Sequence, residues 1–178
     1  VSSNEIRHQV LEQFADGETD IIVGTEIIAK GHDFPKVTLA AILDADSSLR
    51  IPSYTANEDT FDLISQFVGR AGRKDLKGRV LLQTYNPNNE VIQLGAKQDY
   101  DTFYLKEMEE RKKYKYPPYT YLSSINIKGV DLKEVLSIAD QIKNYLLKKT
   151  AGLRFDIFGP SAPYIAHING RYYRTILI

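Results

Sequence analysis

Over the first 113 residues, short apolar runs alternate with stretches whose apolar residues recur at helical spacing. The short runs suit strands buried on both faces, and we expect them at Ile21–Val23, Val37–Asp44 and Arg79–Thr84. We expect helices over residues 4–16, 25–30, 57–71, 88–97 and 99–113. Strands that alternate with helices predict a parallel sheet covered on both faces, and therefore an α/β fold.

The Pro117-Pro118 pair is the predicted domain boundary. After it, we expect strands at Tyr119–Lys128, Arg154–Phe158 and Tyr172–Ile178, with a helix over residues 131–148. This β-α-β-β order is most of a split βαβ module, without its closing helix and strand. We therefore expect one domain over residues 1–113 and a small, truncated α+β domain over residues 117–178. We also expect the 178 residues to be a fragment of a longer chain.

Composition excludes several classes of protein. The 23 basic and 23 acidic side chains give no net charge, but residues 1–98 carry a net −4 and residues 99–178 a net +4. The second half could therefore meet a polyanion. The absence of cysteine excludes a disulfide scaffold and a cysteine-ligated zinc within these residues. We expect no metal site, because His8, His32 and His167 lack metal-ligand spacing, and no apolar run is long enough for a membrane span.

A first candidate site is the segment from Gly24 to Pro35, which reads GTEIIAKGHDFP. A strand that ends at Gly24 and a helix that begins at Thr25 would place free N–H groups and a hydroxyl at a positive helix terminus, which suits a phosphate. A simple helix cap at Thr25 and a helix stop at Gly31 explain the same residue types equally well.

A second candidate site is the segment QFVGRAGR, from Gln66 to Arg73. Its glycines permit close backbone approach, and two guanidinium groups can hold a triphosphate. Taken alone, the motif is explained more simply as a helix end, where cations are favourable and glycines terminate the helix.

A third candidate is a basic and aromatic segment from Arg111 to Tyr121, RKKYKYPPYTY. Lysines and tyrosines that alternate can pair charge with base stacking on single strands. The alternative is an exposed helix end followed by tyrosines that pack a hinge between domains. The tail residues Arg171, Tyr172, Tyr173 and Arg174 carry the same two possibilities.

The first two motifs occur in order, within one α/β unit, and together they resemble motifs V and VI in the RecA-like second lobe of superfamily-two helicases. The segments IAKGHDFPKVTL, DAD, QFVGRAGR, GRVLLQTYNP and YPPY, with the tail FGPSAPY…RYYRTILI, resemble the primosomal protein N′ (PriA) family of bacterial replication-restart helicases. The resemblance covers essentially the whole chain. One stretch departs from the family pattern, because Thr55 stands where an arginine is common.

The resemblance implies roles for individual residues. Arg70 and Arg73 would be arginine fingers on the γ-phosphate of ATP, with Gln66 positioning the nucleotide and Gly31 and Asp33 at the nucleotide side of motif V. Thr25 would contact a phosphate of the translocating DNA strand, with Lys30 nearby. Lys112, Lys113, Lys115 and Tyr116 are candidate DNA-binding residues because of the charge and aromatic character of their segment, not because of the resemblance.

The resemblance also implies that the parent protein is a 3′→5′ DNA helicase driven by ATP and Mg²⁺. It would act in the bacterial cytoplasm, associated with the nucleoid, on forked and single-stranded DNA, with single-stranded-DNA-binding protein, primosome proteins and helicase loaders as partners. Zinc would belong to a cysteine-rich module outside these residues.

The sequence contains no Walker A motif, so we expect these residues alone not to hydrolyse ATP. The alternatives are a RecG-like translocase and a non-catalytic RecA-like scaffold.

Overall fold

The computed structural model describes residues 3–25, 28, 34, 36–70, 78–154 and 156–178. The chain divides into two compact units, Val1–Phe103 and Tyr104–Ile178. The division falls within a helix, before the expected boundary after residue 113. The last turns of that helix belong to the second unit because Arg111, on that helix, donates a hydrogen bond to the carbonyl oxygen of Pro117.

The first unit is built from helices and two parallel strands. Its elements are α1 (Ser3–Asp16), β1 (Leu39–Ile42), a 3₁₀ turn (Ser48–Arg50), α2 (Ala56–Arg70), β2 (Arg79–Leu82) and α3 (Glu90–Lys97). Helix α4 (Tyr100–Tyr114) begins in this unit and continues into the second. Within the described ranges, the helices and strands among these elements lie where the apolar pattern predicts them, apart from shifts of a few residues at the ends, whereas the 3₁₀ turn was not predicted.

Strands β1 and β2 pair in parallel, with Leu39 opposite Arg79 and Ile42 opposite Leu82. The buried core beside them joins the sheet to α2 and α3, and its members are Ile42, Ala45, Ile64 and Ile92. A strand, a crossover helix and a parallel strand form the βαβ arrangement that the alternating pattern predicts. The predicted α/β fold is thus confirmed.

The predicted strand at Ile21–Val23 is wrong. These residues form no strand, and Ile21 and Val23 are 76% and 84% exposed. In the described ranges, the parallel sheet contains only β1 and β2. A run of three apolar residues buries too little surface to hold an extended conformation without a neighbouring strand.

Helices α2 and α3 approach each other closely at Gly95. A Cβ atom at this position would lie 3.1 Å from the Cβ and Cγ2 atoms of Ile64, which is fully buried. Beside this contact, the ring of Phe61 stacks on that of Phe103 with centroids 4.2 Å apart. The close packing fixes the position of α2, which carries Gln66.

The second unit is an antiparallel sheet with one helix packed against it. Its further elements are β3 (Ser124–Gly129), α5 (Leu132–Lys149), β4 (Phe158–Ser161), β5 (His167–Ile168) and β6 (Arg171–Leu177). The strand order is β3-β6-β4, and β5 also pairs with β6. Helix α5 begins at a cap in which Asp131 accepts a hydrogen bond from the N–H of Glu134 at 2.9 Å. Its buried side is Val135 and Ala139, which pack on Ile127 and Ile176.

Three strands of this unit differ from the prediction. The strand predicted at Tyr119–Lys128 is found at Ser124–Gly129, so its first five residues are not part of it. The strand predicted at Arg154–Phe158 is wrong, because β4 begins at Phe158. A bulge at Gly159, with φ of 94°, shifts the register, and a Cβ there would lie 2.6 Å from the carbonyl oxygen of Thr175. Strand β5 was missed, although Asn169-Gly170 is a hairpin signal. Both residues have positive φ, 49° and 71°, as a type I′ turn requires.

Candidate functional site

Gln66 and Arg70 lie in the last turns of α2. Because β1 and β2 are parallel, α2 must return the chain from the carboxyl ends of the strands to their amino ends. Gln66 and Arg70 are therefore on the amino-end side of the sheet, and the Gln66 side chain is half-buried. The side chain of Arg70 and the whole of Arg73 lie outside the described residues.

The end of α2 is held by Gln98, a residue that the sequence analysis missed. The amide Nε2 of Gln98 donates to the carbonyl oxygen of Ser65 at 3.3 Å. A Cβ atom at Gly69 would lie 3.3 Å from that same nitrogen. The first glycine of the GRAGR motif thus leaves room for Gln98, which itself adopts a left-handed conformation with φ of 55°. A polar residue just after an amphipathic helix is too common a pattern to have indicated this contact.

The opposite end of the sheet carries a loop with two aspartates. Strand β1 ends at Ile42, and the N–H of Asp44 donates to Oε1 of Gln83 at 2.7 Å. The N–H of Ala45 donates to the carbonyl oxygen of Gln83 at 2.9 Å. Asp44 also forms an ion pair with Arg50. These contacts fasten the DAD segment to the residues that follow β2.

Asp46 is the buried member of that loop. Its Oδ2 accepts from the N–H of Tyr85 at 2.8 Å, and its Oδ1 accepts from the hydroxyl of Thr84 at 2.9 Å. The bond from the N–H of Tyr85 lowers the pKa of Asp46, outweighing the effect of burial, and the Thr84 hydroxyl lowers it further. Asp46 is therefore ionised at neutral pH and ties the two strand ends together.

Thr25 is exposed at the point where the first candidate segment begins. The N–H of Ile28 donates to the carbonyl oxygen of Thr25 at 3.0 Å. The other predicted residues of this segment, Lys30, Gly31 and Asp33, lie outside the described residues. Among the contacts of the described ranges, no hydrogen bond joins Thr25 to Gln66.

The basic and aromatic segment is a helix end with exposed side chains. The N–H of Tyr116 donates to the carbonyl oxygen of Arg111 at 2.8 Å, and that of Lys115 donates to Lys112 at 3.4 Å. Together with the positive φ of 56° at Lys115, these bonds form a Schellman motif. Lys112, Lys113 and Lys115 are exposed, so their charges face solvent.

Arg111, at the start of this segment, is not part of the exposed charge. Its side chain is buried, and its Nε donates to Oε1 of Glu107 at 2.9 Å while Nη1 donates to the carbonyl oxygen of Pro117 at 3.1 Å. The segment therefore contains both a structural cation and three surface cations. Sequence spacing favours the ion pair, because residues 107 and 111 are one helical turn apart.

Neither a metal site nor a membrane-spanning helix is found in the part of the chain that the structure describes. That part contains no group of three or more histidine, cysteine, aspartate or glutamate side chains arranged to hold a metal ion. Of the described helices, none is long and apolar enough to cross a membrane.

Comparisons with known proteins give matches over both parts of the chain. Residues 2–75 match the helicase conserved C-terminal domain. The replication restart protein PriA of Bacillus subtilis is 43% identical over 164 residues, which are 92% of this chain and 20% of that protein. The PriA proteins of Rickettsia typhi and Chlamydia trachomatis are 37% and 48% identical, over 96% and 64% of this chain and 26% and 15% of their own lengths. The chain thus spans about a quarter or less of these relatives.

Proposed function

Because the chain belongs to the PriA family of replication restart proteins, we propose that it is part of an ATP-dependent motor that unwinds forked DNA in the 3′→5′ direction. The observation that carries this proposal is the match to the helicase conserved C-terminal domain, since residues 2–75 include both candidate motifs. The chain contributes the second lobe of the motor, and the first lobe would be supplied by the rest of the protein.

In this proposal, Gln66, Arg70 and Arg73 face the nucleotide. An amide and two guanidinium groups suit polyphosphate oxygens, because guanidinium donates in a planar fork and stays charged. Arg70 and Arg73 stabilise the charge that develops on the γ-phosphate, and Gln66 orients the nucleotide. Hydrolysis of ATP, bound with Mg²⁺ mainly by the first lobe, would supply the free energy for movement. The close packing of α2 on Gly95 supports this role, because a rigid helix fixes where its last turns lie.

Motif V would hold DNA on one side and the nucleotide on the other. The hydroxyl of Thr25 and the ammonium group of Lys30 bind the phosphates of the translocating strand, and Gly31 and Asp33 contact the nucleotide. The exposure of Thr25 supports this assignment, because an exposed hydroxyl can donate to a phosphate oxygen.

The exposed end of α4 is proposed as a further DNA contact. Lys112, Lys113 and Lys115 are exposed cations on one short segment, and the half of the chain from residue 99 carries a net +4. Such cations bind phosphates without sequence preference. Tyr116 follows them and would stack on a base of a single-stranded arm.

The whole protein would act at stalled or repaired forks in the bacterial nucleoid. Its partners would be single-stranded-DNA-binding protein, primosome proteins and the loader of the replicative helicase. Zinc would be held by a cysteine-rich module elsewhere in the protein, since this chain contains no cysteine.

Two other functions fit less well. A RecG-like translocase would share motifs V and VI, but the matches at 43% and 37% identity to PriA proteins extend over almost the whole chain, including the second unit. A scaffold without catalysis would have no use for Gln66, Arg70 and Arg73 together.

The test uses the whole protein and a labelled fork with a single-stranded arm of either polarity. We expect strand separation that requires ATP. It should occur only on the fork whose single-stranded arm allows movement in the 3′→5′ direction. Equal unwinding of both polarities, or unwinding without ATP, would contradict the proposal. The isolated 178 residues serve as the control, and we expect no ATP hydrolysis from them.

A further inference from the structure

Gln98 has a backbone conformation that favours glycine. It is the residue directly after α3, and its φ of 55° lies in the left-handed region. Helices commonly end on a left-handed residue, and glycine is the usual choice because a residue with a Cβ atom meets steric strain there. Glutamine at this position therefore costs free energy unless its side chain makes a compensating contact.

The side chain of Gln98 makes such a contact with the end of α2. Its Nε2 donates to the carbonyl oxygen of Ser65 at 3.3 Å, and a Cβ atom at Gly69 would lie 3.3 Å from the same nitrogen. Ser65 and Gly69 are about one helical turn apart, so the amide lies along the last turn of α2. Arg70, the last residue of that helix, follows Gly69 directly.

The last turn of α2 is less well fixed by its own residues than the turn before it. Ile64, in the preceding turn, is fully buried against α3. Gly69 is exposed, and glycine leaves a helix backbone more conformational freedom than any other residue. A hydrogen bond from a neighbouring element therefore has a large share in holding this turn in one place.

The turn that carries Gln98 is itself well fixed. The N–H of Gln98 donates to the carbonyl oxygen of Gly95 at 3.1 Å, and the N–H of Asp99 donates to that of Leu94 at 3.0 Å. Oδ1 of Asp99 accepts from the N–H of Thr102 at 3.2 Å, at the start of α4. Because α3 also packs closely on α2 at Gly95, the glutamine amide extends from a rigid support to the end of α2.

We propose that Gln98 is a positioning residue for ATP hydrolysis, which holds the last turn of α2 so that Arg70 meets the γ-phosphate in a productive geometry. This inference rests on the proposed motor function, in which Arg70 is an arginine finger. Gln98 acts through the end of the helix and not by touching the nucleotide. The position matters because a group that stabilises a transition state loses effect quickly when it is displaced, and a misplacement of about 1 Å can lower a rate by about 10²-fold.

The test measures DNA-stimulated ATP hydrolysis by the whole protein with Gln98→Gly. Glycine suits the left-handed conformation, so the melting temperature of the variant should stay close to that of the parent. We expect kcat to fall roughly 5- to 100-fold, between the effect of one lost hydrogen bond and that of a misplacement by about 1 Å. The KM for ATP should stay the same, because the loss concerns the transition state. A parental kcat would overturn the proposal, and so would a fall in kcat that comes with a lower melting temperature.

Gln93→Ala is the matched control. Gln93 is an exposed glutamine of α3 whose Nε2 donates to the carbonyl oxygen of Pro87 at 3.1 Å. The variant therefore removes the same type of hydrogen bond at the other end of α3. It should leave kcat unchanged, and a loss of kcat equal to that of Gln98→Gly would contradict the proposal.

A double variant shows whether Gln98 acts through Arg70. In an Arg70→Ala background, Gln98→Gly should lower hydrolysis no further, because the group that it positions is already absent. A further loss as large as that in the parent would contradict the proposal. The single variants separate the two proposals. Parental turnover in Arg70→Ala would overturn both, whereas loss of hydrolysis in Arg70→Ala with parental turnover in Gln98→Gly would overturn only the positioning role.

Discussion

The Nε of Arg111 donates to Oε1 of Glu107 at 2.9 Å, and both side chains are buried within the second unit. A buried guanidinium that has lost its carboxylate is costly, because its charge stays away from water. The same arginine holds the carbonyl oxygen of Pro117 at 3.1 Å, so it links the helix to the segment that follows. Of the four cations between residues 111 and 115, this one serves the fold.

Arg111→Ala should therefore affect stability without affecting DNA binding. We expect the free energy of unfolding to fall by about 3–5 kcal/mol, because the buried ion pair with Glu107 and the hydrogen bond to the carbonyl oxygen of Pro117 are both lost. Lys112→Ala, its exposed neighbour, should change stability by no more than about 0.5 kcal/mol. Denaturant unfolding of both variants checks this. Equal, small effects would show that the buried pair contributes nothing.

Asp46→Asn should make the stability of the protein less sensitive to pH in the acid range. The lowered pKa means that ionised Asp46 stabilises the folded state above the ordinary aspartate pKa of about 4, and that this stability is lost as pH falls through the lowered pKa. We expect the variant to be less stable by roughly 1–3 kcal/mol at neutral pH, with the difference shrinking below about pH 4. Melting curves across pH measure it.

The control for that experiment is Asp140→Asn, an exposed aspartate on α5. It should leave the pH dependence of stability nearly as it is. A constant difference between Asp46→Asn and the parent at every pH would mean that the charge of Asp46 is not what ties the strand ends together.

Replacing Lys112, Lys113 and Lys115 with glutamine should weaken binding of forked DNA regardless of sequence. Glutamine keeps much of the side-chain length and removes the charge. Each true phosphate contact contributes about 0.9 to the salt slope of duplex binding, so the log–log slope should flatten by roughly one unit per contact. Titrations at several salt concentrations provide the slope. An unchanged slope would mean that these lysines make no phosphate contacts and that the segment is only an exposed helix end.

Thr25→Ala in the whole protein should separate ATP hydrolysis from unwinding. If its hydroxyl holds a DNA phosphate, unwinding should fall more than DNA-independent hydrolysis. A lost helix cap would instead reduce both activities together and lower the melting temperature, with a cost of about 1 kcal/mol. Parallel assays of both activities distinguish these outcomes.

The sequence predicted most of the helices because their apolar faces are long and regular. Phe61 and Ile64, spaced for a helix, are both buried, and the helix of residues 57–71 is found at Ala56–Arg70. The helicase second lobe is confirmed by the family match over residues 2–75. The roles of individual residues within the motifs remain predictions.

The errors came from features that depend on partners distant in the chain. Ile21–Val23 is apolar enough for a strand, but strand formation needs a neighbour, and sequence alone does not supply one. Gly159 inserts a bulge whose position depends on pairing with β6. Gln98 reaches Ser65 across 33 positions, which no local pattern reveals. The hairpin at Asn169-Gly170, by contrast, was visible in the sequence.

The most direct test of the motor is ATP hydrolysis by the whole protein with Arg70→Ala or Arg73→Ala. Most of the nucleotide contacts would lie in the first lobe, so each variant should still bind ATP. Hydrolysis stimulated by DNA should fall by about 10³-fold or more, as loss of an arginine finger predicts. Turnover near the parental rate in both variants would contradict the account, and the two arginines would then be no more than the favourable cations of a helix end.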